Sequence, residues 1–173
     1  MVYLIVACRC VLAGVFLLSA GEKLRAPSAF ASAIAGFQLM PDRFTRFAAY
    51  GVLAVELTTA ALLAFPATVL PGFLLAAGLL VVLTAAVTQA VYRGLNVPCP
   101  CFGVSAAPVG IRHIVRDVLL VAVAGFGVLG TLAASDAVRA HAEAGGVIVA
   151  FCAGAVVVLL VRFTDELASA FSL

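Results

Sequence analysis

The sequence has very little charge. Only 10% of its 173 residues are charged and 65% are apolar, whereas soluble domains have about 25% charged and about 45–50% apolar residues. Ten basic and eight acidic side chains with two histidines cannot cover the core of a soluble domain of this length. The net charge of +2 is too small, and the basic residues too scattered, to indicate nucleic acid as a partner. The composition predicts an integral membrane protein in contact with lipid.

Motifs for cofactors and metals are also missing. The sequence contains no Cys-x-x-Cys-His haem motif, P-loop, HExxH or dinucleotide-binding fingerprint. His113 and His141 are far apart in sequence, and we expect each to be a polar residue near a helix end. Without repeats or low-complexity linkers, a single domain over residues 1–173 is expected. No metal and no cofactor can be identified from the residues alone.

Long apolar runs dominate the chain. Five runs approach the roughly 20 residues that cross a bilayer. The predicted spans are residues 2–20, 47–65, 69–92, 114–134 and 146–162. Because only Pro66 to Thr68 separate the second span from the third, these two predict a tight helical hairpin. Arg9 lies inside the first run instead of before it, so we expect a membrane helix there and no cleaved signal peptide.

Residues 21–46 are too polar to span the membrane and too regular for a plain loop. Pro27 suits the first turn of a helix, and Pro41 would stop it. Between them, apolar residues recur at helical intervals: Phe30, Ile34, Phe37 and Met40. This pattern predicts an amphipathic interfacial helix at about 27–40, the alternative being a solvated loop. The predicted fold class is therefore all-α integral membrane, a four-helix transmembrane bundle plus a fifth span.

Two cysteines stand in the second polar segment, in Val97-Pro98-Cys99-Pro100-Cys101-Phe102-Gly103. The prolines favour a stiff, extended loop. A disulfide between Cys99 and Cys101 would close a small, strained ring that is easily reduced, as catalytic disulfides are. Three arginines flank the loop and can stabilise a thiolate: Arg93, Arg112 and Arg116. The pattern favours thiol–disulfide exchange, with a static loop disulfide and soft-metal capture at an incomplete two-thiolate site as alternatives.

With five spans, the 21–46 and 93–113 segments lie on the same face of the membrane. Six basic residues belong to that face: Lys23, Arg25, Arg43, Arg46, Arg93 and Arg112. The opposite loops carry Arg139 alone, so the positive-inside rule favours the cytoplasm. Disulfide chemistry favours the oxidising outer side instead. The residues themselves leave the orientation open.

Arg9 and Glu56 are charged residues inside the first and second predicted spans. Arg9 and Glu56 are at similar depths in two neighbouring antiparallel spans, at about 1.5 Å of rise per residue. We therefore predict a salt bridge between Arg9 and Glu56. Such a pair would set the registration of the two helices, and the alternative is a proton relay or a ligand contact.

Three further cysteines lie in predicted spans. Cys8 and Cys10 lie on nearly opposite faces of one helix and cannot bond to each other without unwinding it. Cys152 in span five enters the membrane from the same side. We expect all three to behave as small buried hydrophobes, and an inner thiol relay is the alternative.

The order of these motifs resembles the MauE family, within the broader DoxX-like group of redox-associated membrane proteins. The resemblance covers roughly residues 5–130. It rests on Arg9, Gly21-Glu22-Lys23-Leu24, Pro27, Phe30, Pro41, Glu56, Arg93-Gly94, Cys99-Pro100-Cys101-Phe102-Gly103 and the segment from Arg112 to Asp117. It implies help in disulfide formation or maturation of an exported protein, as for the methylamine dehydrogenase small subunit. It also implies a membrane-tethered thioredoxin-like partner and an extracytoplasmic cysteine loop.

The predicted bundle is also similar to vitamin K epoxide reductase, which holds a thiol pair against a quinone. That enzyme uses Cys-x-x-Cys, whereas this chain has Cys99-Pro100-Cys101. By this analogy a quinone would be the cofactor.

We therefore expect a multi-pass cell-membrane protein, and a thiol-disulfide oxidoreductase, that acts through Cys99 and Cys101. The supporting residues would be Arg9, Glu56, Arg112 and Arg116. One alternative is a non-catalytic membrane scaffold that docks a redox enzyme, and another is a conduit for a soft metal ion or thiols.

Overall fold

The computed structural model describes residues 2–38, 41–95, 110–133 and 154–156, and all the regular structure in these ranges is helical. The α-helices with defined bounds in these ranges are α1 (Val2–Arg25), α2 (Pro27–Gly36), α3 (Asp42–Ala64), α4 (Val69–Tyr92) and α5 (Ile111–Ala133). A 3₁₀ turn, Pro66–Thr68, joins α3 to α4. The prediction of an all-α membrane protein is confirmed.

Among the described residues, four helices are long and apolar enough to cross a membrane. These segments are Tyr3–Arg25, Arg43–Ala64, Pro66–Tyr92 and Ile111–Ala133. They match the first four predicted spans, although the first continues to Arg25 instead of ending near residue 20. The fifth predicted span, 146–162, lies outside the described residues except for a helical piece at 154–156. The single domain over the whole chain stays a prediction.

Prolines divide the first half of the chain into helices. Ala26 leaves the helical region at φ −139° and ψ 64°, because a residue before proline is disfavoured there. Pro27 then opens α2, where its missing N–H costs nothing. Pro41 precedes α3, and Phe65 is extended before Pro66. The predicted hairpin between α3 and α4 is therefore present.

The spanning helices form a four-membered ring in the order α1, α3, α4, α5, and each packs on its two ring neighbours. Successive spans are joined end to end, so neighbouring helices are antiparallel. The centre is filled by buried apolar side chains: Leu12, Val15, Phe16, Ala60, Leu63, Phe73, Ala76, Leu80, Leu120 and Ala124.

Gly127 and Gly72 allow close contacts between helices. A Cβ atom on Gly127 of α5 would overlap the ring of Phe73 in α4, and one on Gly72 would lie 3.0–3.2 Å from atoms of Leu62 and Leu63 in α3. Close approach at small residues is a common way to pack helices in lipid, where the hydrophobic effect does not hold them together.

One end of the bundle carries α2 and both ends of the cysteine segment; we call it the loop-side end. Phe37, which follows α2, packs with Val87 and Ala90 of α4, and Leu95 and Ile114 pack on the same cluster. The α2 region and the described ends of the second polar segment therefore lie at the same end of the bundle. The amphipathic helix is shorter than predicted.

The shortening has a local cause. α2 ends at Gly36, and Gln38 has a positive φ of 51°, so the chain turns away and leaves the helix. Met40, which the prediction placed in α2, lies outside the described residues. Phe30 and Ala33 form the buried face of the helix.

Candidate functional site at the loop-side end

The cysteine segment is anchored by regular structure on both sides. At the end of α4, the Leu95 N–H donates to the Ala90 carbonyl and the Gly94 N–H donates to the Val91 carbonyl, both at 3.0 Å. Gly94 has φ +65°, so this is a Schellman cap that glycine favours. Gly110 leads into α5, and its N–H lies 3.3 Å from His113 Nδ1. Cys99 and Cys101, the predicted catalytic residues, lie outside the described residues.

A buried ion pair lies between α1 and α3. Lys23 Nζ donates to Glu56 Oε1, and the two side chains are 3% and 1% exposed. Ser19 Oγ donates to the same carboxylate oxygen at 3.0 Å and accepts from Lys23 Nζ at 2.7 Å. The other oxygen of Glu56, Oε2, is buried and has no hydrogen-bond partner among the described residues. The predicted salt bridge between Arg9 and Glu56 is therefore wrong.

Arg9 instead caps the far end of α3. Its Nε donates to the Leu63 carbonyl at 2.9 Å, and its Nη2 donates to the Ala64 carbonyl at 3.0 Å. The last carbonyls of a helix have no intrahelical partner, and α3 ends at Ala64 because Phe65 is extended. The guanidinium therefore satisfies backbone groups inside the membrane and has no part in the Glu56 cluster.

The direction of helical side chains explains why Glu56 pairs with Lys23 and not with Arg9. Side chains lean toward the N-terminus of their own helix. In the antiparallel pair α1 and α3, Lys23 and Glu56 therefore lean toward each other, whereas Arg9 and Glu56 lean apart. Lys23 was missed because the predicted first span stopped near residue 20, which placed this lysine in a loop. The signal was available, since no proline interrupts the helix before residue 27.

A second buried acid lies at the start of α5. Asp117 is 3% exposed, and its Oδ1 accepts from Nε and Nη2 of Arg116 at 3.2 and 3.1 Å. Further along, α5 contacts α1 where Gly130 faces Ile5, because a Cβ atom on this glycine would lie 3.0 Å from the Ile5 side chain. Counting about 20 Å along each antiparallel helix from that contact puts Asp117 level with Ser19. Polar groups of three helices thus share one layer beneath the loop-side end.

The predicted supporting arginines have different surroundings. Arg112 is exposed in the first turn of α5, next to the end of the cysteine segment. Arg116 is paired with Asp117, so its charge is compensated at that point. Arg93 is exposed directly after α4. Arg112 and Arg93 are therefore exposed next to the two ends of the cysteine segment, whereas Arg116 belongs to an ion pair.

The membrane cysteines occupy separate environments. Cys8 is 6% exposed in the apolar core, and Cys10 is half-buried. Both are free thiols. A Cβ on Gly154 would lie 2.8 Å from Cys10 Cβ, so the helical piece at 154–156 touches α1. Cys152, the third predicted inner thiol, lies outside the described residues.

A cavity of about 400 Å³ lies under α2, between this helix and α3. Lys23 forms part of its wall, and Lys23 Nζ also lies 5.0 Å from the centroid of the Phe30 ring. The other polar side chains of the wall are Ser28, Ser32, Thr45, Arg46 and Tyr50. The apolar part is formed by residues of α2 and α3, including Phe30, Ala49 and Leu53. The cavity offers hydrogen-bond donors next to apolar surface.

A second hollow lies between α4 and α5 near the loop-side end. This open groove of about 700 Å³ is lined by Thr84, Ala85, Thr88, Gln89 and Tyr92 of α4, with Arg93 at its end, and by Val118 and Val121 of α5. Its charged residue is exposed, unlike Lys23 in the cavity under α2.

Comparison with known proteins gives one family. The family model described as Methylamine utilisation protein MauE matches residues 1–130. That range contains α1 to α4 and most of α5, together with Lys23, Glu56 and the cysteine pair. No curated protein and no solved structure matches the chain.

Proposed function

The chain belongs to the MauE family, and from that premise we propose that it exchanges thiols and disulfides through Cys99 and Cys101 to help an exported partner mature. One observation carries the proposal. Leu95 and Gly110, which bound the cysteine segment, lie at the loop-side end, and the α2 region packs against this end through Phe37. A pair held there is within reach of a partner outside the membrane.

The local sequence supports exchange over static cross-linking. A disulfide between cysteines two residues apart is strained and therefore easily reduced. Arg93 and Arg112 are exposed on the two sides of the segment, where a positive charge favours the reactive thiolate. The proposed partners are an exported protein that contains disulfides and a thioredoxin-like redox protein.

The cysteine segment is proposed to face the extracytoplasmic side, where disulfides persist. The positive-inside rule argues against this orientation, but its weight is reduced by Lys23. That lysine is buried and paired with Glu56 instead of lying in a loop, so one of the six basic residues no longer counts as a loop charge.

Labelling of intact cells with a membrane-impermeant maleimide tests the orientation. We expect Cys99 and Cys101 to react only after reduction, because an oxidised pair facing outward has no free thiol until then. Labelling that occurs only in inverted vesicles would refute the outer location. A variant with Cys99→Ser and Cys101→Ser provides the background signal from the other cysteines.

The same two substitutions test the exchange itself. We expect Cys99→Ser or Cys101→Ser alone to abolish maturation of the partner, and a mixed disulfide with the partner to accumulate in one of the two variants. Cys10→Ser is the matched control because this thiol lies in a membrane helix beside Gly154. If both loop variants mature the partner normally, the protein is a docking scaffold and the exchange proposal fails.

A further inference from the structure

The cavity under α2 has the features of a binding site for a small amphiphile. Its volume of about 400 Å³ falls in the range of about 300–1,000 Å³ that is usual for small-molecule sites. Such sites combine apolar walls with a few fixed polar groups. Here Lys23, which is 4% exposed, is the fixed polar group.

Lys23 has one N–H donor that its described hydrogen bonds do not use. An ammonium group carries three N–H donors, and the described hydrogen bonds use two of them, to Ser19 Oγ and Glu56 Oε1. Its Nζ also faces the Phe30 ring of the cavity wall at 5.0 Å. A ligand acceptor that enters beside the Phe30 ring can take the third donor without breaking the ion pair.

The charge of the deep end selects the kind of acceptor. Because Glu56 compensates Lys23, that end offers a strong hydrogen-bond donor with no net positive charge. A neutral carbonyl fits this arrangement better than a phosphate or a carboxylate, which would bring an uncompensated negative charge into the membrane. Arg46, the other cation of the wall, is exposed and can stay in contact with water.

We propose that this cavity binds the head group of a membrane quinone, with one ring carbonyl accepting a hydrogen bond from Lys23 Nζ. Phe30, Ala49 and Leu53 supply apolar surface for the ring. The inference rests on the proposed thiol exchange, because it names the acceptor of the electrons that disulfide formation releases.

The overall reaction balances with a quinone as the oxidant. The dithiol of Cys99 and Cys101 loses two S–H bonds and gains one S–S bond, and its two electrons and two protons reduce the quinone to the hydroquinone. Leu95 packs with Phe37 at the end of the α2 region, and four residues of chain reach about 13 Å. An extended chain from Leu95 to Cys99 is thus about as long as α2, which measures about 15 Å for ten residues.

Quinone binding can be measured apart from electron transfer. The probe is a benzoquinone with one isoprene unit, titrated calorimetrically into the purified full-length protein in detergent. We expect Ala49→Leu, which fills the cavity, to weaken binding at least tenfold. Ala85→Leu is the matched control because it makes the same change in the groove between α4 and α5, and it should leave the affinity unchanged. The reverse pattern would place the ligand in that groove and overturn the proposal.

Two further variants keep the test decisive. Ala31→Leu blocks the cavity from the α2 side, where the residue is only half-buried, and it replaces Ala49→Leu if that variant does not fold. Lys23→Met combined with Glu56→Gln removes the donor without leaving a buried charge, and we expect it to weaken binding about tenfold, the loss of one hydrogen bond. The proposed site would be refuted if the cavity-filling variant and the double variant at Lys23 and Glu56 both bound the quinone with unchanged affinity.

The variant with Cys99→Ser and Cys101→Ser separates this inference from the proposed function. It should bind the quinone as the wild type does but fail to reduce it. If the wild type needs both cysteines for maturation and binds no quinone, the cavity proposal fails while thiol exchange stands. If the quinone binds under α2 and the cysteines are dispensable for maturation, the proposed function fails instead.

Discussion

Replacing Lys23 by methionine should expose the cost of the buried ion pair. The change keeps the length and apolar stem of the side chain but leaves the Glu56 carboxylate, 1% exposed, with Ser19 as its remaining described hydrogen-bond donor. Removing one partner of a buried pair costs about 3–5 kcal/mol. We expect a loss of this size in the free energy of unfolding.

The reverse change should be milder. In Glu56→Gln, Lys23 keeps Ser19 and the Phe30 ring. Because it lies two residues from the end of α1, its long side chain can also turn toward the interface. We expect about 1–3 kcal/mol. The double variant replaces both charges by neutral groups, a change that is often close to neutral, so it should lose less than Lys23→Met alone.

Unfolding in mixed micelles of dodecylmaltoside and SDS, followed by circular dichroism, measures these differences. Arg25→Met is the matched control, since it removes a cation of α1 whose side chain is 76% exposed and paired with Glu22. Exposed pairs contribute less than about 1 kcal/mol. A loss below about 1 kcal/mol in Lys23→Met, or a double variant as unstable as the sum of the single ones, would refute the role given to this pair.

Three other changes test separate parts of the structure. Arg9→Met should lower the free energy of unfolding by about 1–3 kcal/mol, because it leaves two helix-end carbonyls without a hydrogen bond. Its effect should add to that of Glu56→Gln in the same unfolding assay. Strong coupling between the two substitutions would instead support a salt bridge between Arg9 and Glu56. Gly127→Ala should destabilise the bundle by about 1–3 kcal/mol through overlap with a ring, while Gly125→Ala, with open space around it, should not, and equal melting temperatures would contradict the packing. Cys8→Ala combined with Cys10→Ala should leave maturation of the partner intact, and its loss would revive an inner relay.

Helix boundaries could be read from the sequence where proline sets them. The hairpin at Pro66 and the start of α2 at Pro27 follow from the geometry that proline imposes. The end of α1 could not be read from hydropathy, because Gly21 to Arg25 are polar in composition yet remain helical. The end of α2 depends on the left-handed turn at Gln38. The residue at this position, a glutamine, does not predict such a turn.

The partner of Glu56 shows what a depth estimate omits. Counting residues from the helix ends placed Arg9 and Glu56 at one level, but α1 extends beyond the end of α3, so Arg9 reaches Leu63 and Ala64 instead. The count also ignored the direction in which helical side chains lean. Glu56 is paired with Lys23 instead, and the identity of this partner depends on the packing of the two helices.

The attachment of Arg9 to the end of α3 bears on how the protein is inserted during synthesis. The first helix enters the bilayer with a guanidinium whose carbonyl acceptors have not yet been made, at an apparent cost of about 2.5–3.5 kcal/mol for a central arginine. The partner of Lys23, Glu56, also lies on α3. Because α3 carries both the carbonyls and the carboxylate, the partners of both cations become available only when the second span follows the first into the membrane.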